Sequence, residues 1–485
     1  MSENIFDVVV IGAGPGGYVA AIRAAQDGFK TAIIEGHKLG GECLNYGCIP
    51  SKAFISAGHL LDGINNSAEM GIKASKVDVD LDKMCSWKDS IVNKLTTGVG
   101  SLLKANGVTL FNGLGSFSGL QGSYKKISVA KGIDSRSFIE NKSEKTEVLA
   151  KNVIIATGSS IIEIPGFKYD GKKILNSEQA LANTKIPKKI VVIGGGFIGL
   201  EIGTFYSKLK VDVTVVEATD KLLAGTDPEC VRVVQKNLQK KGVKILLNTK
   251  AHSVDTKKSK CVLTVNDKDK KSTSIECDWV LVSVGRKPNT TSLGLEKIGV
   301  DKDSKGFIPV NGQLLTSVPG VYAIGDVIGG AMLAHKASKE ALVAVDVIKN
   351  PQSKLDIKAL PWAIFVDPEI ASVGHTLESA KAAGFEPVVG KCPFAANGRA
   401  LTTGHSEGFA KIIVDKNSDL VLGAHIVGPE ASNLIAEVAL AIEMSATASD
   451  IAETIHAHPT LPECLLEAAE SVHGRAIHIF SPKKK

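Results

Sequence analysis

Four things are scarce in this chain of 485 residues: aromatics (5%), cysteine (eight), an excess of charge of one sign, and long apolar runs. Eight cysteines over such a length are too few for a structural disulfide framework. Six of them (Cys85, Cys230, Cys261, Cys277, Cys392 and Cys464) stand singly and read as buried or inert thiols. A bilayer span needs about 18–20 predominantly apolar residues. The one uncharged stretch of that length, Gly306–Gly325, is interrupted by Pro309, Asn311, Gln313 and Pro319, so no membrane span is expected. Basic residues exceed acidic ones by only 57 − 51 = 6. The lysine clusters Lys257–Lys260, Lys268–Lys271 and Lys483–Lys485 have acids and few aromatics between them, which describes solvated surface and not a nucleic-acid groove. Acids near the start, Glu3 and Asp7, stand where a targeting peptide would be basic. A cytoplasmic address is expected, one that a mature organellar protein would share in these terms.

Glycine, by contrast, is plentiful at 48 residues, about 10% against a typical ~7%. Hydrophobic residues at 44% and charged residues at 22% describe an ordinary globular protein, and the length suggests about three domains. The glycines fall into a repeat. Phe6–Ile11 reads as a strand, Gly12-Ala-Gly14-Pro-Gly-Gly17 as a turn, Tyr18–Ala25 as a small-residue helix, and Thr31–Ile34 as a second strand ending at Glu35. The order returns at Lys189–Ile193, Gly194-Gly-Gly196-Phe-Ile-Gly199, a helix, and Val213–Val216 ending at Glu217. From first glycine to acid the offsets agree, 35 − 12 = 217 − 194.

A glycine triplet alone is weak evidence. Strand, Gly-x-Gly-x-x-Gly, helix, strand and acid together are strong, because each part has a task. The first glycine makes the turn, the second admits a pyrophosphate to the backbone, and the third lets helix and strand pack. The helix N-terminus favours the anion, and the acid accepts hydrogen bonds from ribose hydroxyls. Two such units imply two adenine dinucleotides, hence a flavoprotein exchanging hydride with a nicotinamide. Glu217 would repel a 2′-phosphate, and Ala218–Gly225 holds no arginine to accept one, so NAD is favoured over NADP. Strands at Val153–Ala156 and Trp279–Val284 read as crossings between domains, and Val321–Ile324 closes another strand on Asp326. Beyond about residue 355, strands at Lys411–Val414 and Leu422–Val427 and a helix at Ala431–Met444 suggest an α+β unit.

Directly after the first unit stands Gly40-Gly-Glu-Cys43-Leu-Asn-Tyr-Gly-Cys48-Ile-Pro50-Ser-Lys52. On a regular helix the Cα atoms of two cysteines five positions apart lie about 8.7 Å apart, from ~1.5 Å rise and ~100° per residue. A disulfide wants roughly 4.4–6.8 Å, so a bridge requires a distorted segment, and Gly40, Gly41, Gly47 and Pro50 supply one. Reduced buried thiols are the plain alternative. A zinc site lacks a second cysteine pair to complete it, and no metal is expected. Placement beside a flavin-type unit favours a redox-active disulfide.

The segment resembles the active-site signature of the pyridine nucleotide–disulfide oxidoreductases, and within them of the branch that oxidises protein-bound dihydrolipoyl groups. Ala156-Thr-Gly158, Gly194–Glu201, Ser283-Val-Gly-Arg286, Gly325-Asp326, Met332-Leu-Ala-His335 and His456-Ala-His-Pro-Thr460 match the family blocks in order, across essentially the whole chain. Departures are small: Glu42 and Tyr46 fill variable slots, and Lys131–Glu147 looks like an extended polar loop. The resemblance implies an α/β fold of two Rossmann-like dinucleotide-binding domains plus an α+β C-terminal dimerisation domain. Residues 1–155 would bind FAD, 156–285 NAD, 286–355 would complete the FAD site, and 356–485 would form the interface. It implies Cys43 as the interchange thiol and Cys48 as the thiolate facing the flavin. Lys52 would lie near the ring, paired with Glu201 at the opening of the second unit's helix, although composition alone makes both ordinary surface charges. FAD would be held by Gly12, Gly14, Gly17, Glu35, Lys52, Gly115, Thr157, Gly158, Ser159 and Asp326, with Met332, Leu333, Ala334 and His335 near the ring. NAD would be held by Gly194, Gly196, Gly199, Glu201, Glu217 and Gly285.

Thiol–disulfide exchange runs through the thiolate and needs a base, and His suits that near neutrality. His458 is the candidate. On spacing alone Thr460-x-x-Glu463 reads as a helix capping box, whereas the resemblance makes Glu463 the acid that orients His458. It further implies a homodimer whose histidine serves the other subunit's disulfide. Its partners would be lipoyl domains and core proteins of 2-oxoacid dehydrogenase complexes, with the glycine cleavage lipoyl protein as a further class. A glutathione- or mercuric-type reductase is the enzymatic rival, and a non-catalytic structural subunit the rival of another kind. Glu217, the absence of cysteines in Ser481–Lys485, and the joint presence of Cys43, Cys48, His458 and Glu463 argue against them.

Overall fold

The computed structural model describes residues 4–75, 77–131, 144–257 and 259–480. The expected polar loop therefore lies outside the described residues over 132–143, and its last part, Lys145–Glu147, opens a strand. The β-branched run at the start forms β1 (Ile5–Ile11), buried from Val8 onward. Pro15 starts α1 (Pro15–Gln26) where its missing N–H costs nothing, and β2 (Thr31–Glu35) returns parallel to β1, Val8 opposite Thr31. Three helices follow: α2 (Gly41–Asn45), α3 (Cys48–Asn66) and α4 (Leu81–Ala105). The strand β3 (Lys145–Ile155) is long enough to serve two layers. Its first half pairs antiparallel with Tyr124–Ala130, and its second half runs parallel to β1.

The second unit repeats the first: β4 (Lys189–Ile193), α5 (Phe197–Lys208), β5 (Asp212–Val216) and α6 (Pro228–Lys240). Its five-stranded sheet is parallel throughout, so both faces are covered and the strands read as continuous apolar runs. Just past the two segments expected to cross between units the chain runs side by side, Ser159–Ile161 antiparallel to Arg286–Pro288. The chain then returns to the first sheet, where β6 (Val321–Ala323) pairs with β3, Val321 opposite Val153. Next, α7 (Ala334–Lys349) packs on α1, and Gly16 leaves room for Ala337. Beyond residue 360 five antiparallel strands form the α+β unit, covered by Ala431–Glu443 and α8 (Glu463–Val472). Gly390 lets α8 press close, since a side chain there would strike the Ala468 carbonyl. Among the described residues no helix is long and apolar enough to cross a membrane.

The six cysteines that stand singly in the sequence are all buried free thiols, as expected, but four of them meet in the fold. Cys261 and Cys277 are not isolated but face each other across an antiparallel ribbon, and the Cys464 thiol donates to the Cys392 carbonyl at 3.2 Å. Strand register and helix packing, which spacing does not reveal, bring them together. All four are buried, and every cysteine of the chain is a free thiol.

A charged cluster joins three regions. Asp367, in the loop before strand Glu369–Gly374, pairs with Lys208 at 2.8 Å and with Lys241 at 2.7 Å, and Lys241 also binds Asp62 of α3 at 2.8 Å. Burial would raise the Asp367 carboxyl, but the two lysines hold it well below the usual carboxylate range. Its stabilising effect is therefore present above the ordinary Asp value, near ~4, and is lost as pH falls through the depressed one. Asp367→Asn should cost about 3 kcal/mol, the low end for breaking a buried pair, because Lys241 is partly exposed. The check is the thermal midpoint at pH 7 and pH 2.5, the second inside the window in which the contribution is lost: the variant should start lower and fall less on acidification. A midpoint unchanged at pH 7 would remove the cluster from any stabilising role.

Candidate active site

The two dinucleotide cradles match atom for atom in their main features. Gly12 and Gly194 take φ of +100° and +105°, and a side chain on either would strike a carbonyl oxygen, of Ala156 or Ser283. A side chain at Gly17 would strike the Gly12 carbonyl, and one at Gly199 the Gly194 carbonyl. Gly14 and Gly196 are the N-caps of α1 and α5, with no side-chain cap on either helix. The first-turn N–H groups are thus left for an anion, and the space a Cβ at Gly196 would enter is open. These are features a pyrophosphate fits. Each terminal acid anchors its own turn. Glu35 accepts from Ala13 N–H at 2.7 Å and His37 N–H at 2.8 Å, and Glu217 accepts from Gly195 N–H at 2.7 Å and Thr219 N–H at 2.8 Å. Glu217 also accepts from Thr219 Oγ1 at 2.8 Å, and since a carboxylate has about four lone-pair sites it retains one for a ribose hydroxyl.

Around the first cradle the remaining candidates gather. Gly115 lies against Ile34, whose Cγ2 would be 3.0 Å from an added Cβ. Thr157, Gly158 and Ser159 follow β3 and are tied down by Asn289, which donates from its main-chain N–H to the Gly158 carbonyl at 3.0 Å and from its amide to the Thr157 carbonyl at 3.0 Å. Ser159 Oγ donates to Asp326 Oδ2 at 2.5 Å and accepts from Arg286 Nε at 2.8 Å. Arg286 also reaches Glu42, next to Cys43, at 3.3 Å. Met332 and Leu333 precede α7, which Ala334 and His335 open, with His335 Nε2 at 2.8 Å from the Pro361 carbonyl. On the side of the second cradle, Gly285 ends the crossing, its carbonyl accepting from Ile162 N–H at 3.2 Å. Asn289 and Arg286 were not among the site residues expected from sequence. Arg286 stands in a quoted family block, whereas nothing in the sequence marks Asn289.

Lys52 and Glu201 are not ordinary surface charges. Lys52 Nζ lies 2.9 Å from Glu201 Oε2 and 4.4 Å from the Phe365 ring centroid. Glu201 is 4% exposed, and its other oxygen accepts Phe365 N–H at 2.9 Å. Glu201 also sits one turn inside α5 and does not open it.

The cysteine segment is distorted as expected, and the break falls between two helices. Cys43 sits within α2 and Cys48 begins α3, with Gly47 (φ −115°, ψ −101°) between them. Tyr46 and Gly47 N–H both donate to the Glu42 carbonyl, at 2.9 and 2.8 Å, which folds the segment back on itself. The two thiols come within hydrogen-bonding reach. The Cys43 thiol, donating to Cys48 and half-buried, is held far above the usual thiol range. Cys48 accepts that bond with Lys52 nearby and is lowered. Its place at the N-terminus of α3 acts in the same direction.

His458 lies at the far end of the chain, its side chain 79% exposed. Its Nδ1 is 2.8 Å from Glu463 Oε1, while Glu463 Oε2 accepts Thr460 N–H at 2.7 Å. The capping box is therefore only half present. Pro462, not Thr460, is the N-cap of α8, and Thr460 Oγ1 donates instead to the Ala457 carbonyl. Burial opposes ionisation of Glu463, but the Thr460 N–H and His458 hold its carboxyl below the ordinary range. His456 is pinned between the Thr454 carbonyl and Glu437. Among the described residues no hydrogen bond or ion pair joins His458 to Cys43 or Cys48 of the same chain.

Comparison with known proteins agrees with this geometry. The family model for pyridine nucleotide-disulphide oxidoreductases matches residues 6–341, and that for the dimerisation domain of the same family matches residues 360–469. A protein of Halobacterium salinarum named dihydrolipoyl dehydrogenase is 47% identical over 475 residues, 98% of each chain. One of Pisum sativum named mitochondrial dihydrolipoyl dehydrogenase is 46% identical over 98% of this chain and 92% of its own. The crystal structure of LpdA from Mycobacterium tuberculosis superposes with a TM-score of 0.88 at 27% identity, covering 96% of this chain and 99% of that one. With both halves matched in order and the paired cysteines placed beside the first cradle, the chain belongs to the pyridine nucleotide-disulphide oxidoreductases.

Proposed function

We propose that the protein is an NAD-linked dihydrolipoyl dehydrogenase that works as a homodimer. It reoxidises the dihydrolipoyl groups of 2-oxoacid dehydrogenase complexes. The observation that carries this is the Cys43–Cys48 dithiol, split across the α2–α3 break with Cys48 at a helix N-terminus. Relatives bearing that name at 46–47% identity support it. So does the exposed apolar surface of the C-terminal unit, where Ile455 is 97% and Met444 72% exposed, as a subunit interface requires.

In the oxidised protein a dihydrolipoyl thiolate attacks the Cys43 sulfur. The Cys43–Cys48 bond breaks, and Cys48 leaves as the thiolate that its surroundings favour. The second substrate thiol then attacks its own sulfur in the mixed disulfide, Cys43 is released, and lipoyl disulfide departs. Two protons leave the substrate, and His458 of the other subunit, oriented by Glu463, accepts them in turn. FAD, when bound, would supply a two-electron acceptor for the dithiol and a hydride donor for NAD. Gly12, Gly14, Gly17, Glu35 and Asp326 would hold it, and Gly194, Gly196, Gly199 and Glu217 would hold NAD.

The test is a steady-state assay of NADH formation from dihydrolipoamide, run beside reduction of glutathione disulfide. Only the first should proceed, and NAD should be used far better than NADP. Glu217→Arg should narrow that gap by at least about tenfold, as one charged contact at a phosphate allows. Equal kcat/KM for the two nucleotides in the unmodified protein would refute the assignment of Glu217. Preference for glutathione disulfide would refute the function.

A further inference from the structure

Under the turn that carries Asp326 lies a charged pair with no part in the chemistry above. Glu340, on α7, is fully buried among Ala337, Ala341 and Ala344, where an ionisable residue is rare unless paired. Its Oε2 accepts the Gly325 N–H at 2.7 Å. Its Oε1 faces Lys336 Nζ, one helical turn back, at 2.5 Å, without the alignment of a hydrogen bond. Lys336 Nζ in turn reaches the Gly329 carbonyl at 3.5 Å. Gly325–Ile328 is a single turn of 3-10 helix. Glu340 thus holds the N–H at its beginning, and Lys336 the carbonyl just past its end.

Asp326 sits inside this bracket, and its carboxylate is aimed by Ser159. Between the two charged residues, Ala337 presses on both partners of the first cradle. A Cβ added at Gly325 would be 3.2 Å from the Ala337 Cβ, and one at Gly16 of α1 3.3 Å from it. Burial pushes the Glu340 carboxyl up, against the pull of Lys336 and the Gly325 N–H. A carboxylate in such a place destabilises the fold unless its contacts are made, and those contacts all lead to one turn.

We propose that Glu340 and Lys336 form a positioning pair that clamps the Gly325–Gly329 turn, presents Asp326 to the dinucleotide in the first cradle, and so sets how tightly FAD is retained. The proposal rests on the reading of that cradle as an FAD site. Neither residue touches the cofactor; both act through Asp326.

The experiment follows FAD release from purified holoprotein by the rise in flavin fluorescence, in the parent, Glu340→Gln, Glu340→Leu and the double variant Lys336→Met/Glu340→Leu. Glutamine keeps an acceptor for Gly325 N–H and should release FAD roughly 10-fold faster. Leucine keeps none and strands the ammonium, and should release it roughly 100-fold faster, the range for a hydrogen bond to a charged group. The double variant should recover part of that loss, because no unpaired charge remains. Saturating FAD should restore the parent kcat in every variant with KM for NAD unchanged, which a general loss of structure would not allow. Release rates within twofold of the parent in both single variants would overturn the proposal, as would a kcat that FAD does not restore. A parent that purifies without flavin would instead overturn the FAD reading itself.

Discussion

His458→Gln will slow dihydrolipoamide oxidation by roughly 10²–10⁴-fold, the usual cost of removing a positioned general base. NADH-driven reduction of a quinone or dye will survive. The asymmetry follows from where protons move. A dithiol must lose two of them to break the Cys43–Cys48 bond, whereas the dye reaction bypasses the thiols. Glu463 should show a milder version of the same split. One of its oxygens orients the imidazole and the other holds Thr460 N–H, so Glu463→Gln keeps an acceptor but loses the charge that favours imidazolium. Flavin content and dimer mass must match the parent, since α8 starts at Glu463 and a damaged C-terminal unit would also depress activity. If both activities fall together in a dimer with full flavin content, the base lies elsewhere, and Glu463 is a structural brace for the start of α8.

Replacing either active cysteine by serine should abolish dihydrolipoamide turnover, by on the order of 10³-fold or more, as expected when members of one catalytic unit are removed singly. The two losses should differ in what they trap. In Cys48→Ser the remaining Cys43 can attack a linear disulfide such as dipyridyl disulfide. One thiopyridine joins Cys43 and the other leaves as the free thiol, and with no second thiol in the adduct or at position 48 nothing is left to resolve it. Intact-mass measurement should show one thiopyridine per chain, mapped to Cys43 by digestion and removed by reductant. Cys43→Ser should not accumulate that adduct, because Cys48 opens α3 beside Lys52 and is the poorer nucleophile for being the stabilised thiolate. An adduct on Cys48 and none on Cys43 would reverse the two assignments.

The repeated unit was legible because its signals are local: β-branched strands, glycines at fixed offsets and a terminal acid lie within about 30 residues of one another. The distortion between Cys43 and Cys48 was legible for the same reason, since Gly47 and Pro50 act on their own backbone. Features that depend on register or on packing across the chain were not. Cys261 and Cys277 face each other only because two strands pair at one register and not the next. Asn289 reaches Thr157 from 132 positions away, and a lone Asn after a proline announces only a turn. Glu463 shows local reasoning misled by a genuine motif. Its spacing from Thr460 is that of a cap, and half of the cap forms, but Pro462 takes the N-cap position and releases the second oxygen to His458. Glu340 was invisible for a simpler reason. A glutamate in a lysine-rich helix looks solvated until the helix is seen pressed against α1.

The proposed service of His458 to the other subunit's disulfide carries a genetic reading. Consider two alleles, one lacking Cys43 and the other lacking His458. Each alone encodes a dead homodimer, because every site in it misses one group. Expressed in the same cell, the two products also pair with each other. In such a mixed dimer one site inherits both lesions, and the other draws its cysteine from one parent and its histidine from the second, and is whole. Two recessive defects in a single gene then complement in part, whereas two alleles damaged on the same side of the exchange never do.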